Sequence, residues 1–183
     1  LFSFNAMAII CGIIALIPVV IYPFAKRFTW WPQVYLGLAF NWGVLLAFVA
    51  HQGGLHISAV ILYLSGVCWT LFYDTIYAHQ DIEDDALIGI KSTARLFGAK
   101  TWPWLLGFAL SSGGLMLGAL TLQVQGPAFW VAGLGVAAFV LHMIWQLRQF
   151  RLGESGLLLR LFRANRHAGF FPVLFFGLAI LLH

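Results

Sequence analysis

Apolar residues fill this chain in blocks long enough to cross a bilayer, separated by short polar breaks. A helix needs about 20 residues to span roughly 30 Å of hydrocarbon. On that measure the pattern predicts six crossing segments, of which the first covers residues 4–22. No charged residue occurs between Phe28 and Asp74, and the turn His51-Gln52-Gly53-Gly54 divides that stretch into a second and a third. Residues 101–147 are again free of charge and divide at 123–127 into a fourth and a fifth. The sixth, 168–182, is short; it either tilts little or begins within the preceding polar segment. Pro18 and Pro172 fall inside segments, where neighbouring helices can satisfy the carbonyls they free. Gly114 and Gly118 form a small-xxx-small pair suited to close helix contact. The expected fold class is all-α, a polytopic transmembrane helical bundle.

Composition supports a lipid solvent: 62% of the 183 residues are hydrophobic and 9% are charged, too few to cover a water-soluble globule. The net charge of +4 lies between the apolar segments, where it marks a membrane side and not a nucleic-acid surface. Lys26 and Arg27 follow the first segment, Lys91, Arg95 and Lys100 follow the third, and Arg148, Arg151, Arg160, Arg163 and Arg166 separate the fifth from the sixth. The two intervening turns carry no basic charge. Breaks thus alternate basic and neutral, as successive crossings require, with the basic side cytoplasmic or equivalent. Cys11 and Cys68 both sit in apolar runs and read as small packing residues, not as a disulfide or a zinc site. The chain opens on Leu1 without a basic leader, which fits a piece of a longer chain or a processed one, and shows no signal peptide.

Acidic residues are concentrated. Of six in the chain, Asp74, Asp81, Glu83, Asp84 and Asp85 fall in one short window at the end of the third segment. Carboxylates beside a bilayer are costly and face a cavity, a partner or an ion. If the third helix continues without a break, Asp81 lies about 20° behind Asp74 and Asp85 about 20° ahead, so three carboxylates share one face. Glu83 then lies opposite, and Asp84 is about 80° away. A divalent cation would relieve the repulsion along such a stripe, and oxygen ligands alone favour Mg²⁺. Lys91 and Arg95 in the same break, with Lys26 and Arg27 on the same membrane side, add the phosphate-holding half of a diphosphate site. The same basic residues are also what a positive-inside topology supplies. His51 and His56 belong to the opposite side, His142 to the interior of the fifth segment, and His79 to the rim of the acidic segment; none forms a metal set.

The run Tyr73-Asp74-Thr75-Ile76-Tyr77-Ala78-His79-Gln80-Asp81-Ile82-Glu83-Asp84-Asp85, followed by Gly89-Ile90-Lys91-Ser92-Thr93-Ala94 and Phe97-Gly98, closely resembles the second aspartate-rich motif of UbiA-type prenyltransferases, in its 4-hydroxybenzoate form. Asp81 and Asp85 match the family's DxxxD, and Tyr22 with Lys26 match its YxxxK element. Asn41-Trp42-Gly43 also resembles the family, with no assigned chemical role. The family's nine-helix fold carries an earlier aspartate-rich motif of the NDxxDxxxD type, which this sequence lacks. The resemblance therefore implies helices four to nine of that fold, residues 1–183 forming one transmembrane prenyltransferase domain incomplete at its N-terminus and inactive alone.

What the resemblance implies is Mg²⁺-dependent transfer of a polyprenyl group from polyprenyl diphosphate to 4-hydroxybenzoate, in ubiquinone biosynthesis. Its site would lie on the cytoplasmic or matrix side of a bacterial or mitochondrial inner membrane. Asp81 and Asp85 are the implied catalytic carboxylates, with Asp74 as a further metal ligand. Lys26, Tyr22 and Lys91 would bind diphosphate oxygens, with Arg95 behind them. Arg27 suits the substrate carboxylate, since a guanidinium fork matches a planar carboxylate. Two alternatives stand beside this: a related enzyme with another aromatic acceptor, and a transporter or channel using the intramembrane aspartates as ion sites.

Overall fold

The computed structural model of the protein describes residues 4–182, and every regular element among them is helical. Helix α1 (Ala6–Ile14) runs into α2 (Leu16–Phe28) through Ala15, and α3 (Pro32–Phe40) into α4 (Trp42–Gln52) through Asn41. Helix α5 spans Ile57–Ala78, and a short α6 (Ile82–Leu87) follows it. Helix α7 (Thr93–Phe97) and a 3-10 turn at Gly98–Lys100 lead into α8 (Thr101–Thr121); α9 (Gly126–Gln149) and α10 (Ser155–Ile180) complete the bundle.

Ends are set by local chemistry. Asn5 caps α1 by accepting from the Ala8 amide, and its own side-chain amide donates to the carbonyls of Val49 and Ala50, tying the start of α1 to the end of α4. Pro32 opens α3, where a missing N–H costs nothing. Gly53, with φ of 77°, closes α4 in the left-handed conformation that a side chain would resist.

Five helical stretches are long and apolar enough to cross a membrane: Ala6–Phe28, Pro32–Gln52, Ile57–Ala78, Thr93–Thr121 and Gly126–Gln149. The sixth predicted segment is not among these five, and it begins within the preceding polar segment, one of the two expected alternatives. Its helix starts at Ser155, well before residue 168, and carries Arg160, Arg163 and Arg166 in its first half. Long arginine side chains keep their charge at the polar boundary while the stem covers apolar surface, so the helix continues through the polar stretch.

Helix α5 is the hub. Half of its apolar stretch is buried, against 11% for Ala6–Phe28. It packs against α3, α4, α8 and α10, while α9 lies between α8 and α10. Outward faces present Val20, Phe40, Trp130 and Ile180, whereas Gln33, Ser65, Thr70, Thr75, Gln146 and Asn165 are buried. Apolar outside and polar within is the distribution expected where lipid is the solvent and helices associate by packing and interhelical hydrogen bonds. Ser65 and Ser112 join α5 to α8 by such bonds, each hydroxyl reaching the other residue's carbonyl.

Close helix approach occurs at glycine, though not at the expected pair. Nothing lies within 4 Å of where a Cβ on Gly114 would project, whereas one on Gly113 would sit 2.2 Å from Val140 Cγ2. The α8–α9 contact thus uses the residue just before Gly114, while a Cβ on Gly118 would make only an ordinary contact with Ile61 Cγ2 at 4.0 Å. At Gly66 an added Cβ would meet Asn41 Oδ1 at 2.2 Å. That space lets Asn41, at the α3–α4 junction, donate to Gly37 O and Thr70 Oγ1 at 2.8 and 3.0 Å, which gives the Asn41-Trp42-Gly43 element a packing role.

The three basic breaks share one end of the bundle. The Lys91 amide donates to Lys26 O, the His79 ring bonds Thr101 and meets the Phe150 ring, and these contacts join the α2–α3, α5–α8 and α9–α10 connections. At the other end Asn5 reaches α4, and Gln123 donates to Ser58 across α8 and α5.

Candidate functional site

Helix α5 stops at Ala78, seven residues short of Asp85. His79 and Gln80 close 3-10-type bonds to Ile76 O and Tyr77 O, the chain bends at Asp81, and α6 begins. The expected single face carrying Asp74, Asp81 and Asp85 on one continuous helix is therefore not formed. Its breaker is His79. The buried ring bonds Thr101 Oγ1 at 2.9 Å and packs edge-on against Phe150 instead of following the helix into solvent. The Thr101 hydroxyl donates to Gly98 O at 2.7 Å, so His79 Nε2–H is the donor toward it. Burial pushes the His79 pKa down to about 4, keeping the ring neutral at physiological pH.

Asp81 and Asp85 survive the break as a pair. The Asp85 amide donates to Asp81 O at 2.8 Å, closing the first turn of α6, and their side chains are near enough for the Asp81 charge to act on Asp85. The Asp85 carboxyl titrates above its ordinary 3.8, first because of burial and then because Asp81 and Asp84 repel its charge; Lys26 and Arg95 oppose the shift. Asp81 is exposed and Asp85 half-buried.

Lys26 connects the two parts of the acidic set, lying within electrostatic reach of both Asp74 on α5 and Asp85 on α6. Tyr22, one turn earlier on α2, lies within electrostatic reach of Asp74, Tyr73 and Tyr77. The spacing of Tyr22 and Lys26 thus turns one face of α2 toward the carboxylates. Backbone bonding fixes this meeting: the Lys91 amide donates to Lys26 O at 3.0 Å, and Ile90 N to Asp85 O at 2.9 Å. Arg95 donates from Nη1 to Asp85 O and Ile90 O, bracing the loop after α6. Arg27 is exposed at the end of α2.

Among the described residues, no three His, Cys, Asp or Glu side chains converge closely enough to hold an ion. Asp74 belongs to α5 and the Asp81–Asp85 pair to α6 beyond the bend, so the three do not close into one set. A carboxylate pair with Lys26 and Arg95 in electrostatic reach still suits a hydrated Mg²⁺, which commonly takes one or two carboxylates plus phosphate oxygens.

Beside Tyr73 opens a cavity of about 930 Å³, walled by Phe40, Trp69, Tyr73 and Phe162 and bordered by Arg163. Trp69 and Asn165 on its wall belong to a polar network the sequence did not assign: Trp69 Nε1 donates to Asn165 Oδ1 at 3.0 Å, and Asn165 Nδ2 to the buried Gln146 Oε1 at 2.9 Å. Amide side chains in helices of an otherwise apolar bundle were the available signal.

Residues 1–180 match the UbiA prenyltransferase family. The chain is 43% identical over 98% of its length to the 4-hydroxybenzoate polyprenyltransferase, mitochondrial, of Rattus norvegicus, covering 47% of that protein. It is 42% identical to the Arabidopsis thaliana protein of the same name, over 98% of this chain and 43% of that one. Against the Homo sapiens protein of that name, identity is 47% over 80% of this chain and 40% of the relative. The chain thus spans less than half the length of these relatives. No solved structure matches it. The match over residues 1–180 establishes that the chain belongs to the UbiA prenyltransferase family.

Proposed function

We propose that this chain contributes the second aspartate motif of an enzyme that moves a polyprenyl group from its diphosphate to 4-hydroxybenzoate, a step toward ubiquinone. Residues 1–183 are read as part of one transmembrane prenyltransferase domain, with its site on the matrix or cytoplasmic side. What carries the proposal is Lys26, whose charge reaches both Asp74 and Asp85 while its carbonyl accepts from the Lys91 amide. Cations and carboxylates from separate loops meet there, as a metal-bridged diphosphate requires.

In this reaction class the allylic C–O bond breaks, its electron pair leaves with the diphosphate, and a ring carbon of the acceptor takes up the allylic carbon. The ring then sheds a proton to recover aromaticity. Asp81 and Asp85 would hold Mg²⁺, which when bound supplies charge neutralisation for the leaving group, while Asp74 acts on the site through Lys26. Lys26 and Lys91 ammonium groups and the Tyr22 hydroxyl donate to diphosphate oxygens, and Arg95 holds the loop that presents Lys91. Arg27, exposed beside Lys26, takes the carboxylate of the aromatic acid. The aromatic-walled cavity next to Tyr73 suits an apolar chain.

Membranes containing the complete protein, given polyprenyl diphosphate and radiolabelled 4-hydroxybenzoate, should form a labelled lipid-soluble product that EDTA abolishes and Mg²⁺ restores. Homogentisate and a hydroxynaphthoate run in parallel test the acceptor. Absence of product with every acceptor, or ion flux dependent on Asp81 in sealed vesicles without prenylation, would overturn the proposal.

A further inference from the structure

The turn between α2 and α3 carries two adjacent tryptophans that face different surroundings. Trp31 packs edge-on against Phe97, Trp104 and Phe108, with ring centroids 5.4, 5.8 and 6.4 Å away, and so anchors the turn to α7 and α8. Trp30 is 39% exposed, and its ring lies 5.9 Å from Lys91 Nζ and 5.4 Å from the guanidinium carbon of Arg95. Both distances fall within the range in which an aromatic face attracts a cation. Lys91 also donates from Nζ to Phe28 O at 3.3 Å, and its amide donates to Lys26 O. Arg95 is held from the other side by the carbonyls of Asp85 and Ile90. Two cations of like sign are thus gathered on one ring, beside the acidic pair.

We infer that Trp30 is a positioning residue for diphosphate binding, its ring holding Lys91 beside Arg95 against their mutual repulsion and presenting Lys91 to the anion. The inference rests on the diphosphate reading above and extends it to a residue that reaches the substrate only through others. A flexible lysine left in water samples many rotamers, and ordering it on arrival of the anion costs binding energy. A ring that restricts both side chains beforehand lowers that cost. An aromatic residue serving only as a membrane-interface anchor would affect insertion and leave anion affinity alone.

The test is calorimetric titration of inorganic pyrophosphate with Mg²⁺ into the complete protein in lipid nanodiscs, alongside steady-state kinetics. Trp30→Leu should weaken pyrophosphate binding and raise KM for polyprenyl diphosphate by about tenfold, two exposed cation–π contacts being lost. KM for the aromatic acid should not move. Trp30→Tyr, which keeps a π face, should return both values to within about twofold of wild type. Equal pyrophosphate affinity in Trp30→Leu and wild type, or Trp30→Tyr behaving like Trp30→Leu, overturns the inference; if Trp30→Leu fails to insert, Trp30→Met replaces it in the comparison. A wild-type protein that binds no pyrophosphate removes the diphosphate reading itself, and this role for Trp30 with it.

Discussion

Asp85 sits between opposing influences, with Asp81 and Asp84 repelling its charge and Lys26 and Arg95 favouring it. Neutralising one of the pair should remove affinity for a divalent cation while changing little of the fold, because Asp81 is exposed and α6 makes its turn through backbone bonds. In the complete protein, Asp81→Asn and Asp85→Asn should each lower prenyl transfer by about two orders of magnitude, the scale of losing one preorganised electrostatic contact. Membrane insertion, checked by resistance to alkaline extraction, should stay intact; unchanged turnover in both variants would remove the metal assignment. These two residues stand out in the sequence because acid this dense beside apolar segments has few other uses, whereas Lys26 stands out only through the resemblance of Tyr22 and Lys26 to the YxxxK element. Trp30 was not legible, since an aromatic residue at a segment end is the ordinary interface pattern until its neighbours in space are known.

Helix lengths and breaks follow contacts that are distant along the chain, so they were harder to read. The sequence predicts α5 passing smoothly into the acidic run, but the buried His79 side chain is captured by Thr101 and Phe150 from other elements, and the helix turns aside. Nothing local to residues 74–85 announces those partners. The same break leaves Asp81 at the start of α6, so the His79–Thr101 bond should control how firmly the acidic loop is held. Thr101→Val keeps the shape and removes the acceptor, leaving a buried N–H unpaired at a cost of about 1–3 kcal/mol. Amides of residues 79–90 should then exchange hydrogen faster by mass spectrometry while α9 is unaffected; identical exchange in both proteins would show that the loop is held by other contacts. The α3–α5 contact offers a separate test. A Cβ at Gly66 would sit 2.2 Å from Asn41 Oδ1, so Gly66→Ala must displace a side chain bonded to both Gly37 and Thr70. Overpacking of this kind costs about 1–3 kcal/mol, and a melting temperature equal to wild type would mean Asn41 finds another place without loss.

At the scale of the whole molecule, the alternation of basic and neutral breaks is the feature most fully readable from sequence, because it depends on charge counts and not on side-chain geometry. The structure brings the basic breaks to one end through bonds among Lys26, Lys91, His79 and Thr101, and joins the neutral breaks at the other through Asn5 and Gln123. The proposed chemistry depends on this sorting: diphosphate, carboxylates and lysines could meet only if α2 ends and α6 begins on the same side of the membrane. Single cysteines introduced at Arg27, Lys91 and Arg151, after replacing Cys11 and Cys68 with alanine, should all react with a membrane-impermeant maleimide from one side of sealed vesicles. Cysteines at Gly53 and Gln125 should react only from the other. Labelling of positions 91 and 53 from the same side would separate the lysine loop from the crossing pattern, and Lys26 and Asp85 could then no longer share a site.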